Sequence, residues 1–234
     1  MFRQRSYELE CIDTGDYTPE EYEGCLVELR RVNRWLGDNR AIAKSLLAEL
    51  SKTGQSAFSV LDVGAGSGEV LRVVARWAQA HDRRALLTGL ELNARSAGSI
   101  LQESVEFPNI LAVRGDALEL PFKDNAFDYA ICSLFTHHFK DDAVVAVLGE
   151  MNRVARRGVF VIDLFRHPMA YFLYTTAGKL MLHNRLLRSD GALSILRSFR
   201  PDELRQLAQT AGLQNVSVTR RFPFRLVLAA HKTV

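Results

Sequence analysis

Three sets of residues in this chain have the types and spacing to do chemistry. The first is the run Val60-Leu61-Asp62-Val63-Gly64-Ala65-Gly66-Ser67-Gly68-Glu69, where an apolar stretch enters a turn with glycine at every second position. Glycines there remove the side chains that would hold a ligand away from the main chain, and they permit positive φ where the turn needs it. A dinucleotide loop of the form Gly-x-Gly-x-x-Gly would place its third glycine at position 69, which is Glu69, so the spacing argues against a pyrophosphate grip. The second set is a series of carboxylates, Asp62, Glu91, Asp116 and Asp163, each at the end of an apolar run. Charge buried beside a sheet is costly unless paired, and a ligand rich in hydroxyl and amino donors supplies the partners. The third is the pair His137-His138 in Ser133-Leu134-Phe135-Thr136-His137-His138-Phe139. Imidazole titrates near neutrality, so one ring there can take a proton from a hydroxyl.

Elements able to position these groups are visible around them. Buried-strand patterns run over residues 58–63, 85–92, 110–117 and 158–163, with helical spacing over about 67–80 and 141–154. That alternation predicts one doubly wound α/β domain, for which 234 residues with 47% hydrophobic content suffice. Two helices precede the glycine run. Thr18-Pro19-Glu20-Glu21 has the pattern of a capping box, followed by Tyr22, Cys25, Leu26, Leu29 and Val32 at helical spacing up to Gly37. A second helix spans about 39–50, with Ile42, Leu46, Leu47 and Leu50 on one face. After the fifth strand comes a long insertion, 164–198, with helical apolar spacing over 169–187 through Tyr171, Phe172, Tyr174, Leu180, Met181 and Leu182. It reads as an apolar lid, an added core helix or a dimer contact. Pro201 opens a further helix ending at Gly212.

The acidic-x-Gly-x-Gly-x-Gly pattern from Asp62, followed in order by Glu91, Asp116 and the segment Pro121 to Ser133, resembles the class I S-adenosylmethionine (SAM) dependent methyltransferases over roughly residues 40–165. The resemblance implies a seven-stranded sheet closed by 215–221 and by an antiparallel last strand, 224–231, with Pro223 at the turn. It divides the chain into N-terminal cap helices (1–52), a cofactor-binding core (57–163), the insertion (164–198) and a closing helix and hairpin (199–234). It places SAM on Asp62, Gly64, Gly66 and Gly68. Glu91, with Leu92, would take the ribose hydroxyls, Asp116 and Ala117 the adenine, and Ser133 the pocket floor. Arg40, or alternatively Arg34, matches a basic residue that pairs with the SAM carboxylate in relatives similar to ubiquinone-pathway O-methyltransferases. The loop after the fourth strand lacks the Asn/Asp-Pro-Pro-Tyr motif of nucleic-acid amino methyltransferases, which uses an aromatic ring to stack on a flipped base. A small hydroxyl acceptor, aromatic or polyketide-like, with His137 as general base is the expected chemistry, with a carbon or nitrogen acceptor, or a SAM-binding protein without chemistry, as the alternatives. Asp163 could orient His137, hold a substrate hydroxyl or anchor its own loop through Arg166.

Composition sets further bounds. Cys11, Cys25 and Cys132 have neither paired nor metal-ligand spacing, and His137, His138 and Asp163 follow no recognised ligand pattern, so neither a disulfide framework nor a metal is expected. No apolar leader opens the chain and no run of about 18 apolar residues follows, which leads us to expect a cytoplasmic enzyme without nucleic-acid partners. The net charge of +3 conceals an asymmetry: residues 151–234 hold 14 Arg and Lys against 4 Asp and Glu, and residues 1–150 hold 16 against 23. Such a field can attract an anionic substrate or balance an acidic partner face.

Overall fold

The computed structural model describes residues 2–35, 37–178 and 182–232. Seven strands form one sheet in the order β3-β2-β1-β4-β5-β7-β6. They are β1 (Ala57–Val63), β2 (Arg84–Glu91), β3 (Ile110–Arg114), β4 (Phe127–Ser133), β5 (Ala155–Leu164), β6 (Ser217–Arg221) and β7 (Arg225–His231). The first five run parallel, and β7 is antiparallel to both β5 and β6. Helices α1 (Cys11–Thr14), α2 (Pro19–Trp35), α3 (Asp38–Ile42) and α4 (Ala48–Thr53) precede β1. The crossovers are α5 (Glu69–Ala80), α6 (Ala94–Gln102) and α7 (Asp141–Val154). The insertion carries α8 (Pro168–Leu173) and α9 (Arg185–Arg197), and α10 (Pro201–Thr210) leads into the closing hairpin.

Strand alternation distributes the core to both faces of the sheet. Ala130, Cys132, Val159 and Val161 pack in one apolar layer with Val144, Leu148 and Met151 of α7, while Tyr129, Ile131, Phe160 and Ile162 join the other with Val70, Leu71 and Val74 of α5. The chain passes from β1 to one side through β2 and β3, then crosses to β4 on the other. This reversal opens a crevice beyond the carboxyl ends of β1 and β4, where ligands of open α/β sheets collect.

Two local expectations change. The helix read over 39–50 extends from 38 to 53, because a π turn at Ala43–Leu47 joins α3 to α4. The helical spacing over 169–187 does not produce one helix. α8 continues as a π turn at Tyr174–Gly178, and a new helix starts where the Asn184 side chain accepts hydrogen bonds from Leu186 N and Leu187 N. Leu180 and Met181 lie outside the described residues, as does the side chain of Leu26. The capping box is formed: Glu21 N donates to Thr18 Oγ1 at 3.2 Å, and Thr18 N donates to Glu21 Oε2 at 3.0 Å.

The insertion and the N-terminal helices make a separate helical cap with a small apolar cluster of its own. Leu182, Leu186 and Leu187 bury against Cys25, with Cys11, Tyr17, Leu29 and Tyr174 around them. Polar contacts seam it. Asp190 accepts from Cys11 N and Ile12 N, Glu28 from His183 N and Asn184 N, and Arg185 pairs with Glu21 and Asp16. The charge asymmetry thus has an internal outlet: Arg185 and Arg197 of the basic C-terminal third pair with N-terminal acids, and Arg225 pairs with Asp38.

Candidate functional site

Asp62 and Gly64 from the end of β1, Gly66 and Ser67 from the turn, Ser133 and Leu134 beyond β4, and Asp38 and Asn39 of α3 line a cleft of about 880 Å³ including its open mouth. Gly64, Gly66 and Gly68 all adopt positive φ, the conformation that glycine tolerates without strain. The space over Gly66 is open, so a ligand can approach its backbone. Glu91 braces the same turn from the end of β2, accepting from Gly66 N at 3.0 Å and from Asn93 N at 3.1 Å.

The cleft is built for a cationic, donor-rich ligand. Asp38, Asp62 and Glu69 line it, and no lysine, arginine or histidine does among the described residues. Both carboxylate oxygens of Asp62 are buried without a hydrogen-bond partner. Burial pushes the Asp62 carboxyl well above the usual carboxylate range, and the Glu91 charge adds to the effect. An orphaned charge of this kind is expensive, and a bound donor relieves it.

Beyond the cleft wall, the β4 loop turns at Leu134, which has a φ of 52°, and places Thr136 and His137 over the end of β5. His137 Nδ1 lies 2.6 Å from Asp163 Oδ1, and Asp163 Oδ2 accepts from His137 N at 3.1 Å and Thr136 Oγ1 at 2.5 Å. Asp163 is fully buried, yet the His137 ring and these donors hold its carboxyl down at about 2. A carboxylate on Nδ1 leaves Nε2 as the second ring nitrogen, while the ring itself is buried, 4% exposed, and is not part of the cleft lining. Of the three roles open to Asp163, the structure shows contact with His137. Arg166 turns elsewhere, to Ser198 O, Phe2 O and Glu203.

Four residues of this loop's surroundings left no signal in the sequence. Arg5 Nη2 donates to Phe139 O at 2.9 Å, and Arg197 Nε donates to His137 O at 3.2 Å while its Nη2 reaches His138 O. Arg197 also pairs with Asp13, and His138 Nδ1 lies 3.3 Å from Asp13 Oδ1 and 3.7 Å from Glu10 Oε2. Glu10, His137 and His138 each bring one ligand-capable atom within 4.8 Å of the others. This grouping joins positions more than 120 residues apart, which no local ligand spacing could reveal.

Of the cofactor residues expected from sequence, Asp62, Gly64, Gly66 and Ser133 line the cleft, and Glu91 touches its glycine turn. Gly68 caps α5 and packs against Ile100. Leu92 and Asp116 are exposed, and Ala117 is buried in the apolar layer. Arg40 is exposed and absent from the cleft lining, where its neighbours Asp38 and Asn39 stand instead. The Arg34 side chain lies outside the described residues.

Residues 61–162 match the family model described as a methyltransferase domain. The chain is 28% identical over 170 residues to demethylmenaquinone methyltransferase of Bacillus licheniformis, a match covering 68% of this chain and 71% of that one. Magnesium protoporphyrin IX methyltransferase of Synechocystis with bound SAH superposes with a TM-score of 0.59 at 17% identity, covering 85% and 84% of the two chains. DszA carbon methyltransferase superposes with a TM-score of 0.62 at 18% identity, over 83% of this chain and 53% of that one. These two likenesses show the shared fold. With the strand order and an orphaned carboxylate beside a glycine turn, the match of residues 61–162 to a methyltransferase domain makes the chain similar to the SAM-dependent methyltransferases that act on small molecules.

Proposed function

We propose that the protein transfers the methyl group of SAM to a hydroxyl of a small aromatic acceptor, with His137 as general base and Asp163 as its orienting partner. The observation that supports this most directly is the buried contact of 2.6 Å between His137 Nδ1 and Asp163 Oδ1. Asp163 fixes the ring so that Nε2 accepts the acceptor's hydroxyl proton, while the hydroxyl oxygen attacks the sulfonium methyl in line. Charge is annihilated in that displacement, so alignment and exclusion of water are what the protein chiefly supplies. Residues fitted to hold SAM are Asp62, the backbone of Gly64 and Gly66, and Glu91 toward the ribose. When bound, SAM supplies the electrophilic methyl. An aromatic acceptor agrees with the menaquinone-type substrate named for the Bacillus relative, and with the exposed Met169, Phe172 and Leu173 on α8. We place the acceptor under this insertion, acting as a lid.

Incubation with labelled SAM and menadiol, followed by product analysis, tests the reading. A methyl ether is expected. Methyl on a ring carbon would overturn the oxygen assignment while leaving the base in place, because deprotonating a phenol also activates its ring. A His137→Ala rate equal to wild type would remove the base.

A further inference from the structure

One carboxylate lining the cleft, Asp38, belongs to an ion pair that the glycine turn does not account for. Asp38, the first residue of α3, lines the cleft and is only 8% exposed. Arg225 Nε donates to its Oδ1 at 2.6 Å from β7, where Arg225 lies across the ladder from Leu164 and next to Asp163. Arg225 is itself 2% exposed, and its Nη2 is buried with no hydrogen-bond partner. Burial raises the Asp38 carboxyl even though Arg225 opposes the shift, and Asp163 adds a further upward push. Asp38 and Asp62 both line the cleft: Asp62 has no hydrogen-bond partner, Asp38 has Arg225 on one oxygen, and the lining itself supplies no cation among the described residues.

We propose that Asp38, held by Arg225, binds the α-ammonium of the aminoacyl end of SAM, so that the N-terminal helix and not the glycine turn alone reads that end of the cofactor. This rests on SAM occupying the cleft. The chemistry fits a primary ammonium, which donates three hydrogen bonds and brings positive charge to a lining that holds carboxylates and no cation among the described residues. Arg225 is a positioning residue: it stands outside the cleft lining and, with Nε on Asp38 Oδ1, fixes the carboxylate.

Calorimetry with two ligands tests this on the full chain. S-adenosylhomocysteine keeps the aminoacyl group, and methylthioadenosine lacks it while keeping adenosine and sulfur. Asp38→Asn should weaken S-adenosylhomocysteine by about ten- to a hundredfold, as loss of a charge-assisted bond does, and should change methylthioadenosine less than about twofold. Because Asp38→Asn strands the Arg225 charge, the combined Asp38→Asn, Arg225→Met variant is measured alongside. It removes both charges, and it should show the same selective loss with a native-like melting curve. Unchanged S-adenosylhomocysteine affinity in either folded variant, or equal losses for both ligands, would overturn the proposal. If the wild-type protein bound neither ligand, the SAM reading of the cleft itself would fail.

Discussion

The sheet and the helical cap are stabilised by different means. Between β1 and β5 the chain carries its chemistry locally: Asp62 precedes its glycines by two residues, and β1, β2 and β5 carry Asp62, Glu91 and Asp163 at their carboxyl ends. The apolar layers there run through the whole domain. The cap instead has a four-residue buried cluster and relies on charged seams, Arg197 to Asp13 and Glu10, Arg185 to Glu21, Arg5 to Asp141. Apolar burial is non-directional, whereas buried ion pairs specify one arrangement and cost much when one partner is lost. The core is therefore built to hold a common cofactor, and the cap to set the geometry of the histidine loop.

The largest effect should come from unfastening that seam. Arg197→Met leaves Asp13 and Glu10 without their cation and strips donors from His137 O and His138 O. A loss of about 3 to 5 kcal/mol is expected in denaturant unfolding. Hydrogen exchange should accelerate in residues 2–35 and 165–198 while β1 and β4 stay protected. Even acceleration throughout would mean that sheet and cap are one cooperative unit.

On the core side, Glu91→Ala removes the acceptor for Gly66 N and the proposed ribose anchor. SAM affinity should fall by about 1 to 3 kcal/mol in calorimetry, with Glu91→Gln between the two. No change would dissociate Glu91 from the ribose. Within the cap, Gly191 is the tight point, since a methyl group there would meet the Tyr174 hydroxyl that donates to Leu187 O. Gly191→Ala should cost about 1 to 3 kcal/mol by overpacking, read as a lower melting temperature. A neutral result would show the cap to be loosely packed.

A smaller effect of opposite sign is expected at Asp62. Its raised carboxyl means that the ionised form is penalised in the folded protein, so neutral Asp62→Asn should melt higher than wild type without ligand, by about 1 kcal/mol, while binding SAM more weakly. The advantage should be full well above the raised folded value and shrink as pH falls through it toward the ordinary carboxylate range, because wild type then protonates Asp62 itself. A gap independent of pH would argue that burial of charge is not its cause.

How much of this was legible in the sequence follows from the same contrast. The seven-stranded sheet with its antiparallel β7 followed from the resemblance, and the capping box at Thr18 and a carboxylate, Asp163, able to reach His137 followed from local pattern. Arg40 is exposed and does not line the cleft, whereas Asp38 and Asn39 do, because successive helix positions rotate by about 100°. Apolar spacing over 169–187 suggested one helix, yet Asn184 satisfies the backbone donors of a new start. Asp38 with Arg225, and Arg197 with Asp13, are 187 and 184 residues apart, and nothing in either neighbourhood announces its partner.

The central claim is that a core-bound methyl donor meets an acceptor activated by His137. It is tested most directly by following labelled methyl from SAM into a small-molecule extract, for wild type and His137→Ala, with S-adenosylhomocysteine affinity measured on the same samples. Labelled product is expected, at a rate that falls by about 10² to 10⁴ in the variant while affinity stays within about twofold. Equal rates in the two proteins, or a parallel fall in rate and affinity, would contradict it.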